Sequence, residues 1–416
     1  MIAFISVSDR TGAQELALAL TEMGYDIYST GGTQKHLAEV GVAARSISSL
    51  TGFPEILGGR VKSIHPMLYG GVLARRDLPE HMEDLRRNDI PPIDLVCVNL
   101  YPFAQTVADG ASLADCLEKI DIGGPAIIRA AAKNYHSVLV LVDPSDYNEA
   151  LDHLRSESLP PEFRRRLAAT ALQHTARYDT AVAQYLRGDE ERFPHRITIA
   201  LDRTLELRYG ENPHQKAALY REERVGQPPD GVVAAERLHG LELSYINILD
   251  ADAAWQAASE FEEPTVVIVK HATPCGIASH PEIAVAYQRA YDSDPISPFG
   301  GIIAVNRPVS WGMTEAMKGK RYDLIVAPGY EDSALERLRK RRDLRILRMP
   351  EGELASKLEY RTVAGGLLVQ ETDRRRAEAL ELRVATKRAP TAKELADLRF
   401  AWSCIKHVKS NAIVVA

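Results

Sequence analysis

Residues 2–33 read IAFISVSDRTGAQELALALTEMGYDIYSTGGT, and their order decides the fold class. Ile2–Ser6 is a short apolar run, the signature of a buried strand. Residues 11–23 set Leu16, Leu18, Leu20 and Met23 among polar residues, which suits an amphipathic helix. Residues 26–28 predict a second strand, which runs into Ser29-Thr30-Gly31-Gly32-Thr33 and a further helix. Residues 95–98 and 138–142 are further apolar, β-branched runs. Strands alternating with helices predict an α/β domain with a parallel sheet and helical crossovers.

The two strand-to-helix turns in that stretch are built alike. Ser6-Val7-Ser8-Asp9-Arg10-Thr11-Gly12 and Ser29-Thr30-Gly31-Gly32-Thr33 each join hydroxyls to glycine just before a helix. Such turns have two readings. The hydroxyls can be ordinary N-caps, or the turns can offer backbone N–H groups and a partial positive charge to a phosphate. Two of them at adjacent parallel strand ends favour the second, because ligands of open α/β sheets sit at the carboxyl ends of the strands.

Further along, residues 58–66 (GGRVKSIHP) hold two cations and a histidine between glycines and a proline, a poor core sequence. Asn99-Leu100-Tyr101-Pro102-Phe103 follows a strand, and residues 121–125 (DIGGP) precede a helix that Pro125 can start. A carboxylate, lysines and a tyrosine converging there would suit proton transfers around a phosphorylated substrate. A long helix is expected over residues 161–186, then a linker over 187–196. The second half repeats a strand–helix pattern. Its strand candidates are 266–269, 302–305, 324–326 and 367–369, and its helix candidates are 333–342 and 391–406. The basic run 339–342 reads as a solvated helix face. Residues 412–416 read as a buried strand.

Composition narrows the function classes. With 45% hydrophobic and 26% charged residues the chain can bury a large core. Its formal charge of -6 argues against a nucleic-acid partner. No apolar stretch approaches the ~20 residues of a membrane span, and the N-terminus lacks the pattern of a signal peptide. Cys97, Cys116, Cys275 and Cys404 are far apart, which fits a reducing cytoplasm and no zinc site.

Taken together, the segments SVSDRTG, STGGT, TGFPEILGGRVKSIHP, GGVLARRD, VNLYPF and IDIGGPAIIRAAAKN resemble the bifunctional purine biosynthesis family. So do LRYGENPHQ, ILDADAAW, IVKHATPCG, FGGIIA, GGLLVQ, TKRAPT and HVKSNAI. That family joins an IMP cyclohydrolase to a 5-aminoimidazole-4-carboxamide ribonucleotide (AICAR) formyltransferase. The motifs run from Ser6 to Ile413, nearly the whole chain.

The resemblance implies a methylglyoxal-synthase-like (MGS-like) domain over residues 1–190. There Ser8, Arg10, Ser29, Thr30, Gly32 and Thr33 would hold phosphate and ribose, and Lys62, Tyr101, Asp121 and Lys133 would line the reacting end. It implies a cytidine-deaminase-like formyltransferase domain without zinc over residues 191–416. There Lys270 and His271 would do the chemistry. Arg208, Tyr209, Asn247, Phe299, Gly300 and Gly301 would contact the nucleotide, and Asn411 would sit beside the formyl group. The lack of a second cysteine after Pro274-Cys275 agrees with the missing metal.

The co-substrate implied is 10-formyltetrahydrofolate, with no tightly bound cofactor, and the assembly implied is a homodimer. Two small departures are Thr273, where the family has asparagine, and Pro298 before the Phe-Gly-Gly motif, which restricts Ser297 to extended backbone. The family continues beyond the point where this chain ends at Ala416, so the cyclohydrolase is expected to be its complete activity. The alternative is a non-catalytic purine-nucleotide sensor. A sensor would need the phosphate loops but not Asp121, Lys133 or the Lys270–His271 pair.

Overall fold

The computed structural model describes residues 1–188, 191–352 and 358–416. It divides into two compact units, Met1–Ala200 with Glu223–Gln227, and Leu201–Glu222 with Pro228–Ala416. The expected boundary at residue 190 lies outside the described residues.

The first unit is built on five parallel strands, β1 (Ile2–Ser6), β2 (Asp26–Ser29), β3 (Arg45–Ser46), β4 (Leu95–Val98) and β5 (Leu139–Leu141). Their order is β3-β2-β1-β4-β5. The central strands are apolar on both faces, as a parallel sheet covered by helices requires. Helix α1 (Ala13–Glu22) buries Ala13, Leu16, Ala17 and Leu20 completely, a spacing that keeps one face on the sheet. Leu18, counted in the same stripe from sequence, points to solvent. Helix α2 (Gly31–Glu39) follows β2, α3 (Pro66–Leu73) follows the basic loop, and α4 (Gly123–Lys133) precedes β5. Helix α4 starts two residues before Pro125. The long helix α5 (Pro161–Arg187) covers the sheet with Phe163, Leu167, Ala171 and Tyr178.

This strand order has a consequence for function. The chain winds outward from β1 through β2 to β3, then returns to β4 on the other side of β1. The crevice at the carboxyl ends of β1 and β4 is therefore the topological switch point, where open α/β sheets bind ligands.

The second unit carries a mixed sheet rather than a wholly parallel one. A hairpin, β6 (Leu201–Leu207) and β7 (Ala217–Glu222), comes first and stands apart from it, and β8 (Glu236–His239) is an edge strand. These three strands, which are largely exposed, were not expected from sequence, nor were the strands over 273–279, 345–348 and 358–363. The sheet proper adds β9 (Thr265–Lys270), β10 (Thr273–Ser279), β11 (Gly301–Val305), β12 (Tyr322–Ala327) and β13 (Arg345–Arg348). Their order is β10-β9-β11-β12-β13-β8, parallel only across β11-β12-β13. Helix α6 (Tyr245–Ser259) packs Ala251, Ala254 and Ala258 on one face, and α7 (Ile283–Ser293) packs Ala286, Tyr287 and Ala290 on the other.

Two expectations are corrected. Residues 367–369 do not join the main sheet. They belong to β15 (Gly366–Glu371), which pairs antiparallel with β14 (Leu358–Val363) in a separate hairpin whose Leu367 and Leu368 are exposed. Residues 412–416 are not a strand. Ile413 and Val415 are 92% and 94% exposed, so apolar composition without a neighbouring strand does not make sheet. Helix α8 (Ala392–Ile405) begins with a Thr391–Glu394 capping box, close to the expected start. Among the described residues no helix is long and apolar enough to cross a membrane, and none of the four cysteines is in a disulfide.

The core of the second unit holds one polar pair. Tyr287 and Tyr322 are almost wholly buried, and their hydroxyls meet at 2.6 Å. Tyr322→Phe should cost about 1–3 kcal/mol by stranding the Tyr287 hydroxyl. The Tyr287→Phe/Tyr322→Phe double variant should cost less than the sum of the singles. Urea unfolding of the four proteins measures this.

Candidate active sites

At the switch point of the first unit lies a cavity of about 700 Å³, within the usual range for small-molecule sites. Its floor is the loop after β1, and this loop is fastened by side chains. The Asn99 carboxamide accepts from the N–H groups of Ser8 (2.6 Å) and Asp9 (2.9 Å) and donates to the Asp9 carbonyl at 2.8 Å. The buried Thr33 hydroxyl accepts from Val7 N–H and donates to Val7 O, both at 3.0 Å. Asn99 and Thr33 thus spend their polar atoms on the backbone.

The two readings of the glycine turns can now be separated. Helices α1 and α2 have no side-chain cap. The Thr30 hydroxyl turns away from the start of α2 to meet Ser6 Oγ at 2.6 Å. Some other helices of this chain are capped, by Ser46, Ser112, Ser244, Ser310 and Thr391, and others, α4, α5 and α7 among them, are not. At α2 the first-turn N–H groups stay uncapped beside the cavity, as an anion site needs. Arg10 brings a charge to the same edge, its guanidinium 3.5 Å from the Gly32 carbonyl.

Ser8, Arg10, Thr30, Gly32 and Thr33 all line the cavity. Ser29 does not. It is fully buried, with Oγ directed 3.4 Å from the Thr30 carbonyl, because the last residue of β2 points into the sheet's helix layer.

The opposite wall holds the expected reacting groups. Lys62, Tyr101 and Asp121 line the cavity together. Lys62 Nζ is 3.3 Å from Glu55 and half-buried. Asp121 Oδ1 accepts the Gly124 N–H at 2.8 Å, at the start of α4. Burial raises its carboxyl above the ordinary value, while the N–H groups of Gly124 and Tyr101 and the Lys62 charge oppose that rise. Gly124 is required here. A Cβ would lie 2.5 Å from Asp121 Oδ2 and 2.6 Å from Leu100.

Lys133, expected beside these groups, is at the other end of α4, about 15 Å along the helix at 1.5 Å per residue, and exposed. The sequence interval of twelve residues from Asp121 concealed that the helix points away from the cavity.

Three residues not counted from sequence also belong to this neighbourhood. Arg60 pairs with Glu118, and both line the cavity. The Tyr69 hydroxyl, on α3, is buried with no hydrogen-bond partner among the described residues, and burial together with the Asp121 charge pushes it up to about 12. An aromatic after His-Pro reads from sequence as core, so nothing marked it.

In the second unit, the N–H of Arg208 donates to Leu243 O at 2.9 Å, and Tyr245 N–H donates to Tyr209 O at 3.0 Å. Arg208 and Tyr209 are thereby held against the start of α6. Asn247 is the third residue of α6, and its Oδ1 completes a capping box by accepting the Ser244 N–H at 3.0 Å. The buried Arg345 donates to Glu242 O at 3.0 Å, and burial and the Arg208 charge depress its pKa. Lys270, at the end of β9, donates to the carbonyls of Phe299 (3.0 Å) and Gly300 (3.2 Å). Gly300 has φ 67 and Gly301 lies against Val269 O, so the Phe-Gly-Gly turn needs its glycines.

The buried Asp250, on α6, accepts the Ala272 N–H at 2.6 Å. These bonds tie Arg208, Tyr209 and Asn247 to the start of α6, and Lys270 to the Phe-Gly-Gly turn. Asn411 is not among them. It is exposed, and its side chain pairs with its neighbour Ser410.

Gly124→Ala should leave the unit folded and displace the Asp121 carboxylate. Crystallography or NMR of the variant, with ligand titration, would register the displacement as weakened binding at the cavity.

Residues 131–416 match the family described as the AICARFT/IMPCHase bienzyme, and residues 12–126 match the MGS-like domain. The crystal structure of ForH is 37% identical over 46% of this chain and all of that one, with a TM-score of 0.42. The bienzyme match spans more than half of the sequence, and the chain belongs to the AICARFT/IMPCHase bienzyme family of purine biosynthesis, with an MGS-like N-terminal domain.

Proposed function

We propose that the first unit closes the second ring of the purine, converting 5-formamidoimidazole-4-carboxamide ribonucleotide to IMP with loss of water. The observation that carries this reading is the two-sided cavity. Uncapped helix N–H groups and Arg10 lie on one wall, and Lys62, Tyr101 and Asp121 on the other. The first wall suits the phosphate and the second the base.

The carboxamide nitrogen attacks the formyl carbon, forming a C–N bond and a tetrahedral alkoxide. Asp121 takes the nitrogen's proton, and the Lys62 ammonium stabilises the alkoxide. The alkoxide takes up the proton that left the carboxamide nitrogen. The C–O bond then breaks as the former formamido nitrogen gives up its own proton and forms the ring C=N bond, so the oxygen leaves as water with the exposed Tyr101 hydroxyl assisting the transfer. The residues that hold the nucleotide are Ser8, Arg10, Thr30, Gly32 and Thr33, the last through its backbone.

We further propose that the second unit, a cytidine-deaminase-like domain without zinc, transfers formyl from 10-formyltetrahydrofolate to AICAR. His271 is the base for the amine and Lys270 protonates the departing folate nitrogen. Arg208, Tyr209 and Asn247 hold the nucleotide. The support is that α6 both registers Arg208, Tyr209 and Asn247 at its start and bonds the His271-Ala272 turn through Asp250, while Lys270 holds the Phe-Gly-Gly turn. A homodimer of cytoplasmic location is part of the same reading.

The test is to follow IMP absorbance on adding the formamido ribonucleotide. Asp121→Asn should lose about 100- to 10,000-fold in kcat. Absence of turnover by a folded wild-type chain would overturn the cyclohydrolase reading.

The pH profile follows from the Asp121 shift. A raised pKa keeps the carboxyl protonated to higher pH than an unperturbed aspartate. The acid limb of kcat/KM should therefore lie at higher pH than an unperturbed aspartate would set it. Lys62→Met removes a charge that favours the carboxylate, so it should lower the rate and move the limb to still higher pH.

A further inference from the structure

Strands β9 and β10 are joined by two residues only, since Lys270 pairs with Thr273 and leaves His271 and Ala272 as the loop. Both have positive φ, 54 and 56. A two-residue hairpin loop with φ above zero at both positions is the type that matches strand twist, and it calls for Asn or Gly. His271 and Ala272 each carry a Cβ, which crowds the following carbonyl in the left-handed region, so the turn is strained at both positions. Strain of this kind persists only where surrounding structure holds it, and it gathers at functional sites.

The holding group is Asp250. It is 4% exposed on α6, one turn beyond Asn247, and its Oδ1 takes the Ala272 N–H at 2.6 Å. The backbone of His271 gives the carboxylate a second, lesser hydrogen bond. From the other side, the carbonyls of Phe299 and Gly300 hold the Lys270 ammonium.

We propose that Asp250 is a positioning residue for formyl transfer: its carboxylate holds the strained His271-Ala272 turn, and so fixes the direction in which the His271 imidazole leaves the hairpin. The inference rests on the formyl-transfer reading of this unit. Burial raises the Asp250 carboxyl, and the two N–H groups with the Lys270 charge draw it back toward the ionised form that the turn needs.

Glycine accepts positive φ without being held, and this separates positioning from simple support of α6. In the full chain, Asp250→Ala should lower kcat for AICAR formylation about tenfold to a hundredfold, the loss that a small misplacement of a reacting group brings, with KM little changed. Adding Ala272→Gly to that variant should recover most of the lost rate. Asp250→Asn keeps one acceptor oxygen and should lose less. It also serves if the alanine variant does not fold, and Ala272→Gly should relieve its loss too.

A loss that glycine does not relieve, or no loss, would overturn the proposal. If the wild-type chain forms no formylated product, the formyl-transfer reading fails by itself. Amide hydrogen exchange at residues 271 and 272 then decides the hold: acceleration in Asp250→Ala supports it, and unchanged protection sinks it.

Discussion

Three hydrogen bonds from one carboxamide fasten the loop after β1 to the end of β4. Asn99 sits where the strand order reverses, at the one place in the sheet where two neighbouring strands send their loops to opposite sides. Such a gap gives a crevice, but a crevice with loose walls binds little. The Asn99 bonds, with the Thr33 bonds to Val7, turn the gap into a preorganised floor. The uncapped start of α2 and the Arg10 charge are then held on one wall while α4 presents Asp121 on the other.

The two units use a related device for their reactive groups. In each, a carboxylate accepts backbone N–H groups of a tight turn, and in each its burial opposes ionisation. Asp121 binds the start of α4, and Asp250 binds the turn carrying His271. Asp121 lines the cavity, where the proposed cyclisation uses it as a base, whereas Asp250 is buried on α6, where the proposed role is to hold geometry.

The surroundings of Lys270 and Arg208 in the second unit are set by backbone more than by side chains. Arg208 and Tyr209 are registered against α6 by main-chain bonds, and the Phe-Gly-Gly turn is registered against Lys270 by its carbonyls. Glycine at 300 and 301 permits that approach. Burial, and after it the nearby Arg208 charge, depresses the pKa of Arg345.

Much of this was legible in residues alone. The alternation of apolar runs with amphipathic stretches determined the parallel sheet of the first unit, because period and burial are local properties. The paired glycine turns and the GRVKSIHP loop stood out because such residues are poor core, whereas the Lys270–His271 pair was marked only by the family resemblance. Direction and pairing were not legible. Lys133 is near Asp121 in sequence and far from it in space, since a helix carries successive residues away along its axis. Ser29 lies within a phosphate-like motif yet faces inward, since strand alternation sets its side. Residues 367–369 and 412–416 have strand composition, and only the presence or absence of a partner strand decides what they become. Asp250 lay inside a noticed motif without a role, and only the tertiary fold set its carboxylate beneath a turn with no glycine to relax it.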